Sequence, residues 1–127
     1  RQLLGQAMTE LLQEIPLDID TTKKLAERMA SPSLYIDVPS EQWLEWGGTA
    51  RTKKCPEAAL ILLEKGLSTE KNVTLARRAL YSIGEIRITN KLYPEEGIVR
   101  LKKVIELEGG DVLANQAKKL IEQASAK

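Results

Sequence analysis

Residues 56–67 read PEAALILLEKGL and residues 94–105 read PEEGIVRLKKVI. Aligned at an offset of 38 residues, Pro56 meets Pro94, Glu57 meets Glu95, Leu60 meets Ile98, Ile61 meets Val99, Leu63 meets Leu101, Lys65 meets Lys103 and Leu67 meets Ile105. The register outlasts the following loop, where Leu75 meets Leu113, Ala76 meets Ala114, Ala79 meets Ala117 and Ile83 meets Ile121. Any two apolar stripes can be aligned at some offset, but one offset kept across a loop and two prolines marks an internal repeat. A proline at the first helical position is pre-set for a helix start, and the apolar residues that follow recur at the spacing of one helical face. The repeating unit is therefore a helix that opens on proline, together with the helix before it.

Outward from this core, the chain reads as helices throughout. Residues 2–15 place Leu3, Leu4, Ala7, Met8, Leu11, Leu12 and Ile15 on one face, with Pro16 as the stop. A shorter helix is expected over residues 18–30, with Asp18 or Asp20 as cap and Leu25, Ala26 and Met29 inward. SPSLYIDVP, residues 31–39, carries two prolines and no helical period, so it is a connector whose LYIDV portion is expected to lie extended against the core. Ser40 is expected to cap a helix over residues 40–53 that contains Gly47 and Gly48, and a further helix is expected from about Val73 to Ile88. The Pro94 helix should run to about Leu107. Gly109 and Gly110 should then break it before Asp111 caps a last helix. No stretch alternates with period two for long enough to form a sheet.

A two-helix unit of this length cannot bury its own apolar face and stacks on a neighbour. Here the chain resembles the tetratricopeptide repeats. Trp46 and Gly47 follow Trp43 at plus three and plus four, as in that family's W-x-x-L-G opening, with Trp46 in the leucine position. Ala59, Leu63 and Gly66 occupy the small, large and small positions of the second helix. In the next unit Leu80, Ile83 and Gly84 fill the opening, and Gly97, Leu101 and Val104 the second helix, after one extra residue in the turn. Arg87 replaces the expected tyrosine, and the offset exceeds the usual period of about 34 residues. HEAT-like hairpins and an unrelated helical bundle are the alternatives. The order of a tryptophan-bearing helix, AALILLEKGL, RRALYSIGEIR, EEGIVRLKKVI and NQAKKLIEQA also resembles the mitochondrial fission adaptors of the Fis type, although the chain has no phenylalanine. Those adaptors hold a cytosolic pair of repeats between extra helices, carry a C-terminal membrane tail and recruit partners on a concave face. The resemblance implies an all-α, right-handed stack of antiparallel hairpins with about six helices. Residues 1–127 would form a single domain, with N-terminal helices in 1–30, two hairpins in 40–107 and a capping helix in 111–124.

Composition narrows the function classes. With 43% hydrophobic and 29% charged residues the chain belongs with globular proteins, and no apolar run reaches the length of a membrane span. Nineteen basic and eighteen acidic residues nearly cancel, so attraction to nucleic acid would need a local patch. The best such patch is Arg51, Lys53 and Lys54 with Arg77 and Arg78, although Glu57, Glu64 and Glu70 intersperse it. A single cysteine forms no internal disulfide, which agrees with a cytoplasmic location or the cytosolic face of an organelle. The chain opens on Arg1 rather than methionine, as an excised domain or processed chain would.

No histidine is present, which removes the usual general base, the commonest zinc ligand and every Ser-His or Cys-His pairing. Glu41 with Glu45 and Glu95 with Glu96 are carboxylate pairs, but both sit at helix starts, where acidic residues favour the dipole. Cys55 lies beside Lys53, Lys54 and a helix N-terminus, which together could depress a thiol pKa, but no partner base accompanies it and it reads as an unremarkable cysteine. Gly109-Gly110 lacks the lysine of a phosphate loop, and the sequon Asn72-Val73-Thr74 reads as a helix cap. Trp43 and Trp46 lie three apart, so at least one belongs in the core while the other is a candidate surface aromatic. The expectation is a non-enzymatic interaction module without cofactor or metal. Its groove, carried over from the tetratricopeptide resemblance, would use Leu44, Gly48 and Arg51 from one hairpin and Arg78, Tyr81, Glu85 and Ile88 from the next, against a protein or peptide partner. Nucleic-acid binding through the Arg/Lys patch is the alternative.

Overall fold

The computed structural model describes residues 2–34 and 36–126, the side chain of Gln2 excepted. Seven helices are found among them, at the seven places where the sequence predicts them and one more than the resemblance implies, and no strand: α1 Gln2–Gln13, α2 Ile19–Ala30, α3 Ser40–Thr52, α4 Pro56–Leu67, α5 Val73–Thr89, α6 Pro94–Glu106 and α7 Asp111–Ser125. They gather into two compact units, Arg1–Thr69 and Glu70–Lys127. In the first, α3 and α4 form a hairpin, α2 packs on α4, and α1 touches both α2 and α3. In the second, α5 and α6 form a hairpin, and α7 packs mainly on α6 and also on α5.

Each hairpin is set by the same contact. A Cβ built on Gly47 would stand 2.6 Å from Leu63 Cγ, and one built on Gly84 would stand 2.6 Å from Leu101 Cγ. Leu63 and Leu101 are partners in the 38-residue repeat, and both are buried. In the second hairpin the backbones themselves converge, since a Cβ on Gly84 would lie 2.9 Å from the Gly97 carbonyl oxygen and one on Gly97 would lie 2.9 Å from the Gly84 carbonyl oxygen. Gly66 serves the first hairpin likewise, with Leu44 Cδ2 at 2.8 Å and Trp43 Cβ at 2.9 Å from its virtual Cβ. Gly48, the next residue in the chain after Gly47, has nothing within 4 Å.

The turns repeat as well. Lys54 and Lys91 both take a left-handed backbone, φ 64° and 55°, just past the ends of α3 and α5. Cys55 donates to the Ala50 carbonyl at 2.9 Å and Lys54 to that of Arg51 at 3.0 Å. Leu92 donates to Arg87 at 2.9 Å and Lys91 to Ile88 at 3.4 Å in the matching positions. This is the Schellman arrangement, which satisfies carbonyls that a helix end leaves open. The second turn then inserts Tyr93, itself left-handed at φ 54° and exposed, before Pro94. Tyr93 is the extra residue that shifts the alignment between the first and second helices of the repeat.

Several boundaries depart from expectation for local reasons. α1 ends at Gln13, so Ile15 leaves the helical face and is 93% exposed, as the conformational restriction on a residue before proline favours. Leu3 is also exposed, and Met8 and Leu12 carry the burial. Asp18 caps α2 by accepting from the Thr21 amide at 3.0 Å, which holds its carboxyl below the usual carboxylate range. Ser40 and Asp111 are not caps but first helical residues, behind Pro39 and Gly110. Gly109 and Gly110 do not stop α6 through a left-handed turn, because no described glycine has positive φ; α6 closes at Leu107 in an extended conformation. In the connector, Leu34, Ile36 and Val38 are half-buried, while the expected contribution of Tyr35 lies outside the described residues, as does Lys127 at the end of the expected last helix.

These contacts give a comparison within two glycine positions of one helix. Gly47→Ala, and more strongly Gly84→Ala, should destabilise the fold by about 1–3 kcal/mol through overpacking. Gly48→Ala, in open space within α3, should stabilise it by about 0.5–1 kcal/mol. Urea unfolding of the three variants, read as midpoint shifts at constant slope, checks the contrast.

Candidate functional site

The seven residues expected to line a groove, the exposed Gly48 of α3 among them, fall on the first helices of the two hairpins. Leu44 and Arg51 lie on α3 in the first unit. Arg51 is exposed, whereas Leu44 is half-buried and leans on Gly66, so its side chain serves the α3–α4 crossing. Arg78, Tyr81, Glu85 and Ile88 lie on α5 in the second unit. At 100° per residue they fall within a sector of roughly 80°. Arg78 is exposed and the other three are half-buried, while Ala79, Leu80, Ile83, Gly84 and Ile86 occupy the buried sector. α5 therefore offers a strip in which Tyr81 lies between Arg78 and Glu85, with Ile88 one turn beyond Glu85.

Both tryptophans belong to the core. Trp43 and Trp46 are 2% and 5% exposed and pack edge to face, with ring centroids 5.6 Å apart and planes at 89°. Trp46 donates its indole N–H to Thr9 Oγ1 at 3.1 Å, and its ring packs beside Gly5, so this side chain docks α1 rather than forming a surface aromatic. Both are inward because positions 43, 46, 47 and 50 form one stripe, which leaves the outward face of α3 to its polar residues.

The basic cluster does not behave as one surface. Lys53 donates to the Leu12 carbonyl at the end of α1, where a cation complements the helix C-terminus. Arg77 is only 5% exposed, and its Nε donates to the Val104 carbonyl at 3.0 Å. Val104 lies in the last turn of α6, whose carbonyls lack helical donors, so Arg77 acts as a cap across the unit. Arg78, one residue on, points outward. The signal in the sequence was the spacing of Arg77 from Leu80 and Gly84, three and seven residues, which sets it on the buried stripe.

The same neighbourhood holds a cleft that sequence reasoning missed. About 270 Å³ in volume, it is lined by Thr74, Arg77 and Arg78 from α5, Glu108, Gly109 and Gly110 from the loop, and Val112 and Leu113 from the first turn of α7. Gly110 is the N-cap of α7 and supplies no side-chain bond to the helix start. A Cβ on Gly109 would stand 2.3 Å from Arg77 Nη1, so this glycine gives the guanidinium its space. No adjacent sequence motif marks the cleft, because its walls come from two helices about thirty-five residues apart.

Cys55 is an enclosed thiol rather than an activated one. Its side chain is fully buried, its Sγ lies 3.8 Å from the Ile19 carbonyl, and burial pushes the thiol up rather than down. Lys54 is exposed and Lys53 is directed to Leu12, so neither cation offsets that desolvation. Among the described residues, no group of three or more histidine, cysteine, aspartate or glutamate side chains is arranged to hold a metal ion. No described helix is long and apolar enough to cross a membrane.

Comparison with protein-family models, curated proteins and solved structures returns no match for this chain. What is shown is an all-α chain whose adjacent helices pair as successive hairpins.

Arg77→Met should cost about 1–3 kcal/mol, because it strips a buried carbonyl of its donor, whereas Arg78→Ala should stay within about 0.5 kcal/mol. Denaturation of the two variants separates an internal cap from a surface charge. Cys55 should react with a thiol reagent at a rate that follows global unfolding, rising with urea as the protein opens.

Proposed function

We propose that the chain is a non-enzymatic, tetratricopeptide-like interaction module that binds a segment of a protein partner along α5, the first helix of its second hairpin. The observation that carries this reading is the α5 strip of Arg78, Tyr81, Glu85 and Ile88, which borders the helix's buried sector, with Ile88 near Gly97 at the crossing, and mixes an aromatic, an aliphatic and both signs of charge. Aromatic and arginine side chains supply much of the energy at protein interfaces, and a helix face of this spacing suits an extended or helical peptide. The repeated Gly–Leu crossing supports the family resemblance, since it puts small residues where paired helices must approach. The Arg/Lys patch supports nucleic-acid binding less well, because Lys53 donates to the Leu12 carbonyl and Arg77 is buried rather than on the surface with Arg78.

A random-peptide display library panned on the immobilised protein tests the reading. Selected peptides should bind Tyr81→Ala and Ile88→Ala variants more weakly by about 1–2 kcal/mol each, near tenfold. Lys102→Glu, an exposed change on α6, should bind like the parent, and circular dichroism melts would show all three folded. Failure to select any peptide, or equal binding by all variants, would overturn the proposal.

A further inference from the structure

We infer that the cleft between the N-terminal ends of α5 and α7 is a receptor for a single carboxylate carried by the partner segment. The inference rests on the interaction reading above and names the chemistry of one contact within it. Three observations converge on the cleft, all within the second unit.

The first is a buried guanidinium held in place but only partly used. Arg77 is 95% withdrawn from solvent, its Nε is fixed by the Val104 carbonyl, and Nη1 lies beside Gly109 on the cleft wall. Among the described residues no carboxylate pairs with it, and neither terminal nitrogen has a protein acceptor. A buried cation without a counter-charge is costly, and a planar fork with its outer donors available is shaped for an oxyanion. The second is the start of α7. Its first-turn amides have no helical acceptors, Gly110 provides no side-chain cap, and Val112 and Leu113 bring that turn to the cleft wall. The third is the make-up of the remaining wall, where Arg78 adds a second cation, Thr74 a hydroxyl, and Val112 and Leu113 an apolar surface.

Charge selects among oxyanions. Arg77 and Arg78 contribute two positive charges and Glu108 one negative, so the lining carries a net charge of +1. A carboxylate neutralises it, whereas a phosphate dianion would leave excess negative charge next to Glu108. The apolar side chains beside the cationic fork suit a carboxylate that arrives next to an aliphatic residue. Gly109 has a role in this arrangement, because any side chain there would occupy the space of Nη1.

The test is a nuclear magnetic resonance titration of isotope-labelled protein, following the amides of residues 109–113 and the Arg77 Nε–H. Four probes are added at matched ionic strength: N-acetyl-leucyl-glutamic acid amide, the corresponding glutamine amide, N-acetyl-leucyl-glutamine with a free terminal carboxyl, and inorganic phosphate. Saturable shifts at these positions with either carboxylate probe, and binding of the glutamine amide about tenfold weaker or less, are expected. The stronger of the two carboxylate probes identifies a side-chain or a terminal source. Arg78→Ala should weaken the interaction about threefold, and Gly109→Val should abolish it in a folded protein. Equal shifts with the glutamine amide, shifts confined to other residues, or tighter binding of phosphate would each overturn the assignment. Peptides selected in the display experiment together with no carboxylate response would remove this inference and leave the interaction reading intact. A carboxylate response with no selected peptide would remove that reading and leave the cleft as a carboxylate receptor.

Discussion

The fold depends on the absence of two β-carbons. At Gly47 and Gly84 the first helix of each hairpin approaches the second so closely that a leucine occupies the space where a side chain would begin. Dispersion and burial grow steeply with close approach, so each crossing turns a missing methyl group into dense contact along the neighbouring turns. Everything placed on α3 and α5 inherits its orientation from that contact. The buried sectors are fixed by it, and the outward sectors, including the strip from Arg78 to Ile88, follow as their complement.

Much of this was legible in the chain itself. Pro56 and Pro94 open helices in both hairpins, and the alignment that pairs them also pairs Leu63 with Leu101, the two side chains that fill the glycine notches. Periodicity located α4, α5 and α6 nearly to the residue because proline or asparagine marks each start and the apolar stripes are long. Caps were less legible. Ser40 and Asp111 have the right chemistry for an N-cap, yet each falls one residue inside its helix, since a neighbouring proline or glycine in extended conformation takes the boundary.

The site was legible only in part, for a geometric reason. Adjacent residues on a helix point 100° apart, so the Arg77-Arg78 pair that looks like one basic patch in the sequence is an internal cap and a surface charge in the structure. Trp43 and Trp46, three apart, share a stripe and so share the core. Cys55 showed the same gap between proximity along the chain and proximity in space, because the lysines before it turn away and its own side chain is enclosed. The cleft at α7 had no linear signature, as its polar groups meet only once α5 and α7 are both packed on α6.

Tyr93 carries a consequence for how such a chain can vary. The second turn holds one residue more than the first, yet Gly84 meets Leu101 as Gly47 meets Leu63. The helix end is already sealed by the Leu92 bond to Arg87, so the insertion falls in a hinge of exposed backbone and is taken up before Pro94 sets the next helix. Length changes confined to that hinge are invisible to the helix crossing. Drift in spacing between otherwise similar hairpins can therefore accumulate there, and a search that demands a constant period would lose the kinship while the packing persisted.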